Sequence, residues 1–207
     1  NDMRGTLGAT LTEVGWVITA YAIGNVIIVP MTSWLSVQFG RRNYFAASII
    51  LFTVCSFLCG NATGIWELVA FRFLQGVGGG ALLVTSQTII TESYPPEKRS
   101  MAQAIYGLGV IIGPTLGPPL GGFIVDHASW PYIFYINIPL GVVATLLTLQ
   151  YVRSPKYGEK SKVADIDWLG IGLLALTVGS LQKKIEKGQD DDWFNSGTIL
   201  YLVVAAT

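Results

Sequence analysis

The chain has 207 residues, of which 51% are hydrophobic and only 13% are charged, and its mean hydropathy is +0.52. Because ordinary globular domains are about 25% charged, this composition excludes a water-facing surface and predicts an integral membrane protein. Thirteen basic and thirteen acidic residues give a net charge of zero, which argues against a nucleic-acid partner.

The chain opens with Asn1 to Thr12, which has no positively charged start and no small-residue cleavage site. We therefore expect an outer loop, whose preceding helix is missing, rather than a signal peptide. Five stretches without Asp, Glu, Lys or Arg follow, at residues 14–40, 43–66, 73–91, 100–125 and 128–152. A transmembrane helix needs about 20 residues of this kind, so each stretch predicts one span. A shorter stretch at 168–182 and another that begins near residue 197 complete an all-α integral membrane bundle of about six complete spans and part of a seventh.

Basic residues between the predicted spans set the orientation of the bundle. Alternate loops share a side, and one side collects eight basic residues: Arg41, Arg42, Lys98, Arg99, Arg153, Lys156, Lys160 and Lys162. The opposite loops at 60–64 and 126–129 hold no Lys or Arg. Since cytoplasmic loops carry an excess of Lys and Arg, the basic side is cytoplasmic.

Tryptophans and cysteines suggest packing roles. Four tryptophans near the outer boundary predict an interfacial belt, with substrate contact as the alternative: Trp16, Trp66, Trp130 and Trp193. The only cysteines, Cys55 and Cys59, lie four residues apart in a hydrophobic span without a nearby histidine. We therefore expect them to pack in the bundle or against lipid rather than bind a metal.

The turn between the first two predicted spans runs from Ser33 to Arg42. Gly40 is expected to supply the tight turn, and Arg41 and Arg42 are expected to face the membrane surface. Arginines that only set the topology are the alternative interpretation.

Arg72 is the one basic residue well inside a predicted span, seven residues or about 10 Å from the outer end. A cation at that depth is costly unless it is paired or hydrated, so Arg72 should face the bundle or a wet cavity. Gln75 and Gly76 follow at spacings that place them on the same side of a helix. We interpret Arg72 as controlling a proton-accepting carboxylate or a substrate; a structural arginine bonded to backbone carbonyls is the alternative.

A glycine stripe with interspersed prolines marks the fourth uncharged stretch. Its members are Gly109, Gly113, Gly117, Gly121 and Gly122, with Pro114, Pro118 and Pro119. Glycines spaced by four allow another helix to approach closely, and prolines bend a helix where neighbours satisfy the freed carbonyls. The combination predicts an element that moves during alternating access, with a static dimer face as the alternative. A weaker glycine surface at residues 76–80 predicts close packing only.

Two of these motifs resemble those of the EmrB/QacA-type drug:proton antiporters of the major facilitator superfamily, a group with fourteen spans. The run from Gly113 through Gly117 and Pro118 to Gly121 and Gly122 matches the antiporter motif of that group's fifth helix. The spacing of Arg72, Gln75 and Gly76 matches the arginine motif of its fourth helix.

Further segments extend the resemblance over essentially the whole chain. Trp16 to Tyr21 is similar to the opening of the second helix, and residues 130–141, with Asn137, Pro139 and Gly141, are similar to the sixth. Asp192 to Ser196 is similar to the loop before the eighth.

The resemblance implies proton-coupled export of hydrophobic or amphipathic drugs by alternating access across the bacterial inner membrane, without a cofactor or an enzymatic reaction. It implies that residues 1–152 form an N-terminal bundle without its first helix, 153–167 a cytoplasmic loop, and 168–207 an additional span and the start of the next. Its implied partners are the lipid bilayer, drugs and protons, together with a periplasmic adaptor and an outer-membrane channel in double-membrane bacteria.

The chain also departs from the family pattern. The family's first helix carries a membrane-embedded Asp, and here no Asp or Glu lies in the middle of a span, so no proton-carrying carboxylate is identified. Ser33 and Val37 replace the Gly and the Asp of the family's cytoplasmic gate loop, which here retains Gly40, Arg41 and Arg42.

Two alternatives to drug export stay open. One is an exporter of the same fold for a dedicated metabolite, lipid or siderophore. The other is a membrane sensor or enzyme without transport, for which we would expect intramembrane His, Asp or metal-spaced clusters; the one histidine, His127, lies in a predicted outer loop.

Overall fold

A computed structural model describes residues 2–154 and residues 169, 170, 172, 173 and 177. The predicted sixth and seventh spans, the loop from residue 155 to 167 and Trp193 lie outside the described residues, apart from those isolated positions. The helices, in chain order, are α1 (Asp2–Leu7), α2 (Leu11–Phe39), α3 (Arg41–Gly60), α4 (Ile65–Ser93), α5 (Pro96–His127), α6 (Tyr132–Tyr135) and α7 (Asn137–Tyr151). This described part of the chain contains no strand, so the predicted all-α class is confirmed.

Five helical segments are long and apolar enough to cross a membrane. They are Thr12–Phe39, Arg41–Gly60, Ile65–Ser93, Pro96–His127 and Tyr132–Tyr151. The five uncharged stretches are thereby confirmed as helices. The fifth of them contains α6 and α7, which meet at Ile136.

The start of α2 is fixed by a capping box. The Glu13 backbone N–H donates to Thr10 Oγ1 over 3.3 Å, and the Thr10 N–H donates to Glu13 Oε2 over 2.8 Å. Each side chain thus satisfies a backbone donor that the helix leaves open. The preceding segment contains the short helix α1, so the expectation of a loop up to Thr12 was wrong in part.

The connection between α2 and α3 is shorter than the sequence suggested. Residues 33–39 continue α2 as helix, and Gly40 alone separates it from α3. Gly40 has φ +79°, a conformation that L side chains rarely adopt, so the predicted role of this glycine in the turn is confirmed.

Close packing of α2 against α4 forms the centre of the described bundle. A methyl group added at Gly76 would collide with the Tyr21 carbonyl oxygen, and one added at Gly80 would lie 2.8 Å from the Asn25 carbonyl oxygen. The glycine surface at 76–80, which the sequence suggested to be the weaker one, is therefore a packed interface. Small residues let the two backbones approach where side chains would keep them apart.

An apolar cluster lies at the predicted outer end of the bundle. It contains Ala9, Val17, Cys59, Ala62, Ile65, Leu68, Trp130 and Phe134. Trp130 is only 6% exposed and its Nε1 donates to Thr6 Oγ1 over 2.9 Å, so its assignment to an interfacial belt was wrong. Trp66 is 61% exposed, as a belt residue should be.

Cys55 and Cys59 are buried free thiols, which confirms their packing role.

Candidate functional site

Arg72 lies on α4, seven residues after its first residue, and its side chain points toward α2 and α6. Its Nη1 donates to Gln75 Oε1 over 2.8 Å, and its Nε donates to the Val17 carbonyl oxygen over 3.4 Å. The guanidinium carbon lies 4.5 Å from the ring centroid of Tyr21 and 5.6 Å from that of Phe134. Both distances are short enough for cation–π attraction, which stabilises a charge removed from water.

Gln75 connects the arginine to α3. Its side chain is 1% exposed, and its Nε2 donates to Ser56 Oγ over 2.6 Å. The Ser56 hydroxyl in turn donates to the Phe52 carbonyl over 2.8 Å, so the serine oxygen is left as an acceptor. This chain of bonds fixes the amide of Gln75 with its oxygen toward Arg72.

In the part of the chain that the structure describes, Arg72 contacts only uncharged groups. Carbonyl oxygens and aromatic faces contact it, and no carboxylate there lies within ion-pair distance of it. A cation in a transmembrane segment commonly pairs with an acid or faces water. The arrangement therefore leaves this arginine able to bind an anionic group from elsewhere.

Gly76 completes the arginine motif without touching the guanidinium. It packs against the backbone of Tyr21, the residue whose ring lies beside Arg72. The three residues predicted as a set are thus brought together, with Gln75 orienting Arg72 and Gly76 bringing the helix that carries Tyr21 close.

At the predicted cytoplasmic end, Arg41 is buried, at 5% exposure, and forms a bidentate ion pair with Glu92 near the end of α4. Its Nη2 donates to Glu92 Oε1 over 2.8 Å. The prediction that Arg41 faces the membrane surface was therefore wrong. Arg42 is exposed, as expected, and its backbone N–H donates to Ser154 Oγ over 3.1 Å.

The glycine stripe of α5 lies on an unpacked surface. A methyl group added at any of Gly109, Gly113, Gly117, Gly121 or Gly122 would meet no described atom within 4 Å. The helix is continuous from Pro96 to His127, with all three prolines of the stripe inside it. Close approach of another helix to this stripe, including Pro118, therefore stays a prediction.

Two residues of the sixth-helix motif line a cavity that also reaches this stripe. The cavity has a volume of about 720 Å³ between α3, α4, α5 and α7, and Asn137, Gly141, Gly109 and Gly113 contribute to its wall. Pro139 is exposed and is not among the lining residues. Within the described residues no group of three or more His, Cys, Asp or Glu could hold a metal ion.

These features define a membrane bundle with a partly buried cation at its core. A family model described as "Major Facilitator Superfamily" matches residues 1–203. The chain therefore belongs to the major facilitator superfamily, whose members are membrane transporters rather than enzymes.

Individual relatives give a finer comparison. The chain is 40% identical over 204 residues to "Multidrug export protein EmrB" of Escherichia coli strain K12, which covers 99% of this chain and 40% of that protein. It is 38% identical over 205 residues to "Fatty acid resistance protein FarB" of Neisseria gonorrhoeae, again with 99% and 40% coverage. The chain thus spans about two fifths of the length of the curated relatives it matches.

A solved transporter structure also matches most of the chain. A bacterial homologue of the human lysosomal transporter Spinster, in an inward-facing and unoccupied conformation, is 18% identical, with a TM-score of 0.48. The match covers 92% of this chain and 56% of the solved one.

Proposed function

We propose that this chain is part of a proton-coupled exporter that moves hydrophobic or amphipathic compounds across the bacterial inner membrane by alternating access. The observation that carries the proposal is Arg72, a partly buried cation with only neutral partners among the described residues. The similarity to EmrB, whose printed name is a multidrug export protein, supports export of drugs as the activity.

A cation of this kind can couple protons to movement. An opposite charge within about 6 Å favours the ionised form of a carboxylic acid. A carboxylic acid that approaches Arg72 would release its proton, and it would take one up again after moving away. Such an acid would come from outside the described residues, and Gln75 and Tyr21 would hold the arginine in place while it binds.

The arrangement of the whole protein enters the proposal through its relatives. Residues 1–152 would form most of one bundle, 153–167 a cytoplasmic loop, and 168–207 an additional span with the start of the next. The EmrB resemblance supports a periplasmic adaptor and an outer-membrane channel as partners that carry the compounds across the second membrane.

Reconstitution of the full-length protein into liposomes tests the proposal directly. With an imposed pH gradient, addition of a transported drug should change the internal pH, and the drug should accumulate against its gradient. A broad panel of cationic and anionic drugs is needed because the cargo is unspecified. Absence of coupled flux with every member of the panel would contradict the proposal.

A second cargo class is favoured by a specific observation. FarB, named for fatty acid resistance, is nearly as similar to this chain as EmrB. A dedicated exporter of lipid-like anions is therefore the competing proposal, and long-chain fatty acids belong in the same flux panel. Flux with fatty acids alone would favour this second candidate.

The glycine stripe of α5 gives a prediction about movement. Replacing Gly117 with Leu should reduce transport at least about tenfold, because side chains would stand where another helix backbone is expected to approach. Protein yield and thermal stability in detergent should change little, since no described atom lies near this glycine.

The matched control is Thr115→Leu, on the opposite side of α5 and equally exposed. Both variants place a leucine on the same turn of the helix, one on the glycine stripe and the other on the opposite face. Normal turnover of Gly117→Leu would rule out the stripe as a moving interface.

A further inference from the structure

A groove between α3 and α7 opens on the outside of the bundle. The two helices approach where Gly141 contacts the side chain of Thr53, because a methyl group added at this glycine would collide with that threonine. Beside the contact lies a groove of about 260 Å³ lined by Ile50, Thr53, Val54, Gly141, Val142, Thr145 and Leu146. Its aliphatic side chains are largely exposed, so in a membrane they contact lipid chains.

The cytoplasmic end of the same pair of helices is basic. Arg42 at the start of α3 and Arg153 just after α7 are both exposed, and neither has an ion-pair partner among the described residues. The bond from the Arg42 N–H to Ser154 Oγ holds these two chain segments together. The first turn of α3 also presents the positive end of a helix dipole, which adds to the attraction for an anion.

The groove and the basic end lie along one line. Val142, Leu146 and Leu149 recur every three or four residues along α7, which ends at Tyr151, and Arg153 follows two residues after that end. On α3, eleven residues or about three helical turns separate Arg42 from the groove residue Thr53, a rise of about 16 Å along one stripe of the helix. An apolar groove that leads to a cationic end at the cytoplasmic boundary has the shape and charge of a phospholipid with its phosphate at the interface.

Among the described residues, the carboxylate of Glu92 lies near this end but does not cancel its charge. Glu92 lines a polar cavity of about 480 Å³ that Arg153 and Ser154 also line. Its two oxygens are both engaged by Arg41, so that pair is neutral overall. The charges of Arg42 and Arg153 therefore remain to attract an anion.

We propose that the α3–α7 groove binds an anionic phospholipid of the cytoplasmic leaflet. One acyl chain lies along Val54, Val142 and Leu146, and the phosphate is bound by Arg42 and Arg153. A free phosphate would use the basic end without the groove, whereas a zwitterionic lipid would use the groove without needing two cations. This site goes beyond the proposed export activity and does not depend on it.

The test is native mass spectrometry of the detergent-purified, full-length protein titrated with phosphatidylglycerol, phosphatidylcholine or glycerol 1-phosphate. Phosphatidylglycerol should bind with a defined stoichiometry and more tightly than phosphatidylcholine. Arg42→Gln or Arg153→Gln should weaken it about fivefold each, and the double variant about thirtyfold, as expected for arginines near an anionic surface. Glycerol 1-phosphate should not compete at equal concentration.

Matched controls separate this site from general attraction of anions. The double variant Lys98→Gln with Arg99→Gln removes two exposed cytoplasmic charges at the start of α5 and should bind the lipid as the wild type does. Leu146→Trp fills the groove and should weaken binding, whereas Leu147→Trp, which does not line it, should not. Unchanged binding to the Arg42/Arg153 double variant, equal retention of phosphatidylcholine, or competition by glycerol 1-phosphate would each overturn the proposal.

Discussion

Replacing Arg72 with Ala is expected to abolish drug-dependent proton movement in liposomes while membrane insertion stays intact. The side chain donates to Gln75 and to the Val17 carbonyl and lies against two aromatic rings, so its removal deletes the only charge in this network. Without this cation, the ionised form of an approaching carboxylic acid would lose a stabilisation worth about tenfold or more in proton affinity, so coupled flux should fall at least about tenfold. The measurement is internal pH against added drug at matched protein density.

Two further variants make this result interpretable. Arg99→Ala removes an exposed arginine at the start of α5 and should transport normally. Arg72→Lys keeps the charge but lacks the planar fork that reaches Gln75 and Val17 together, so it should restore coupling only in part. If Arg72→Ala transports as the wild type does, the arginine is structural and the proposed coupling is wrong.

Replacing Gly76 with Ala should lower the stability of the folded protein through a single added methyl group. The added carbon would collide with the Tyr21 carbonyl and lie 3.1 Å from the Tyr21 Cα, and backbone atoms cannot rotate out of the way. Overpacking of this kind costs about 1–3 kcal/mol. Thermal unfolding in detergent, followed by a dye that reacts with newly exposed thiols such as Cys55 and Cys59, would report the loss.

The matched control for this substitution is Gly107→Ala in α5. No described atom lies within 4 Å of a methyl group at that position. Alanine favours helix over glycine by about 1 kcal/mol, so the control should unfold at the same temperature as the wild type or higher. Equal stability of Gly76→Ala and Gly107→Ala would mean that α2 and α4 are not in close contact at Tyr21.

The membrane spans were predictable because lipid imposes simple requirements. A span must be long, apolar and helical, and each uncharged stretch up to Val152 meets these conditions. The orientation of Arg72 toward the bundle was equally predictable, since a lone cation in a membrane span is costly unless it has polar partners. Its helical spacing to Gln75 also predicted their contact correctly.

Partners that are distant in sequence could not be predicted in the same way. Arg41 and Glu92 are 51 positions apart, and a charge next to a turn looks like any other topology-setting residue until α3 and α4 are packed together. A Glu at the end of a span was the available signal for this pair. Ser56 carried no signal, because a lone serine in a hydrophobic helix commonly bonds its own backbone.

The relative importance of the two glycine surfaces was also beyond the sequence. Regular spacing made the α5 stripe look dominant, yet the described neighbours pack against residues 76–80 instead. The spacing of small residues shows that another helix can pack closely against this surface. Which helix packs there depends on the topology of the whole bundle.

The single residue between α2 and α3 restricts how this part of the protein can change shape. Gly40 offers only one pair of backbone dihedrals with which the two helices could separate, and the Arg42–Ser154 bond links the same corner to the end of α7. The adjoining ends of α2 and α3 therefore stay neighbours in any rearrangement, and a change in the angle between these two helices has to be taken up at Gly40.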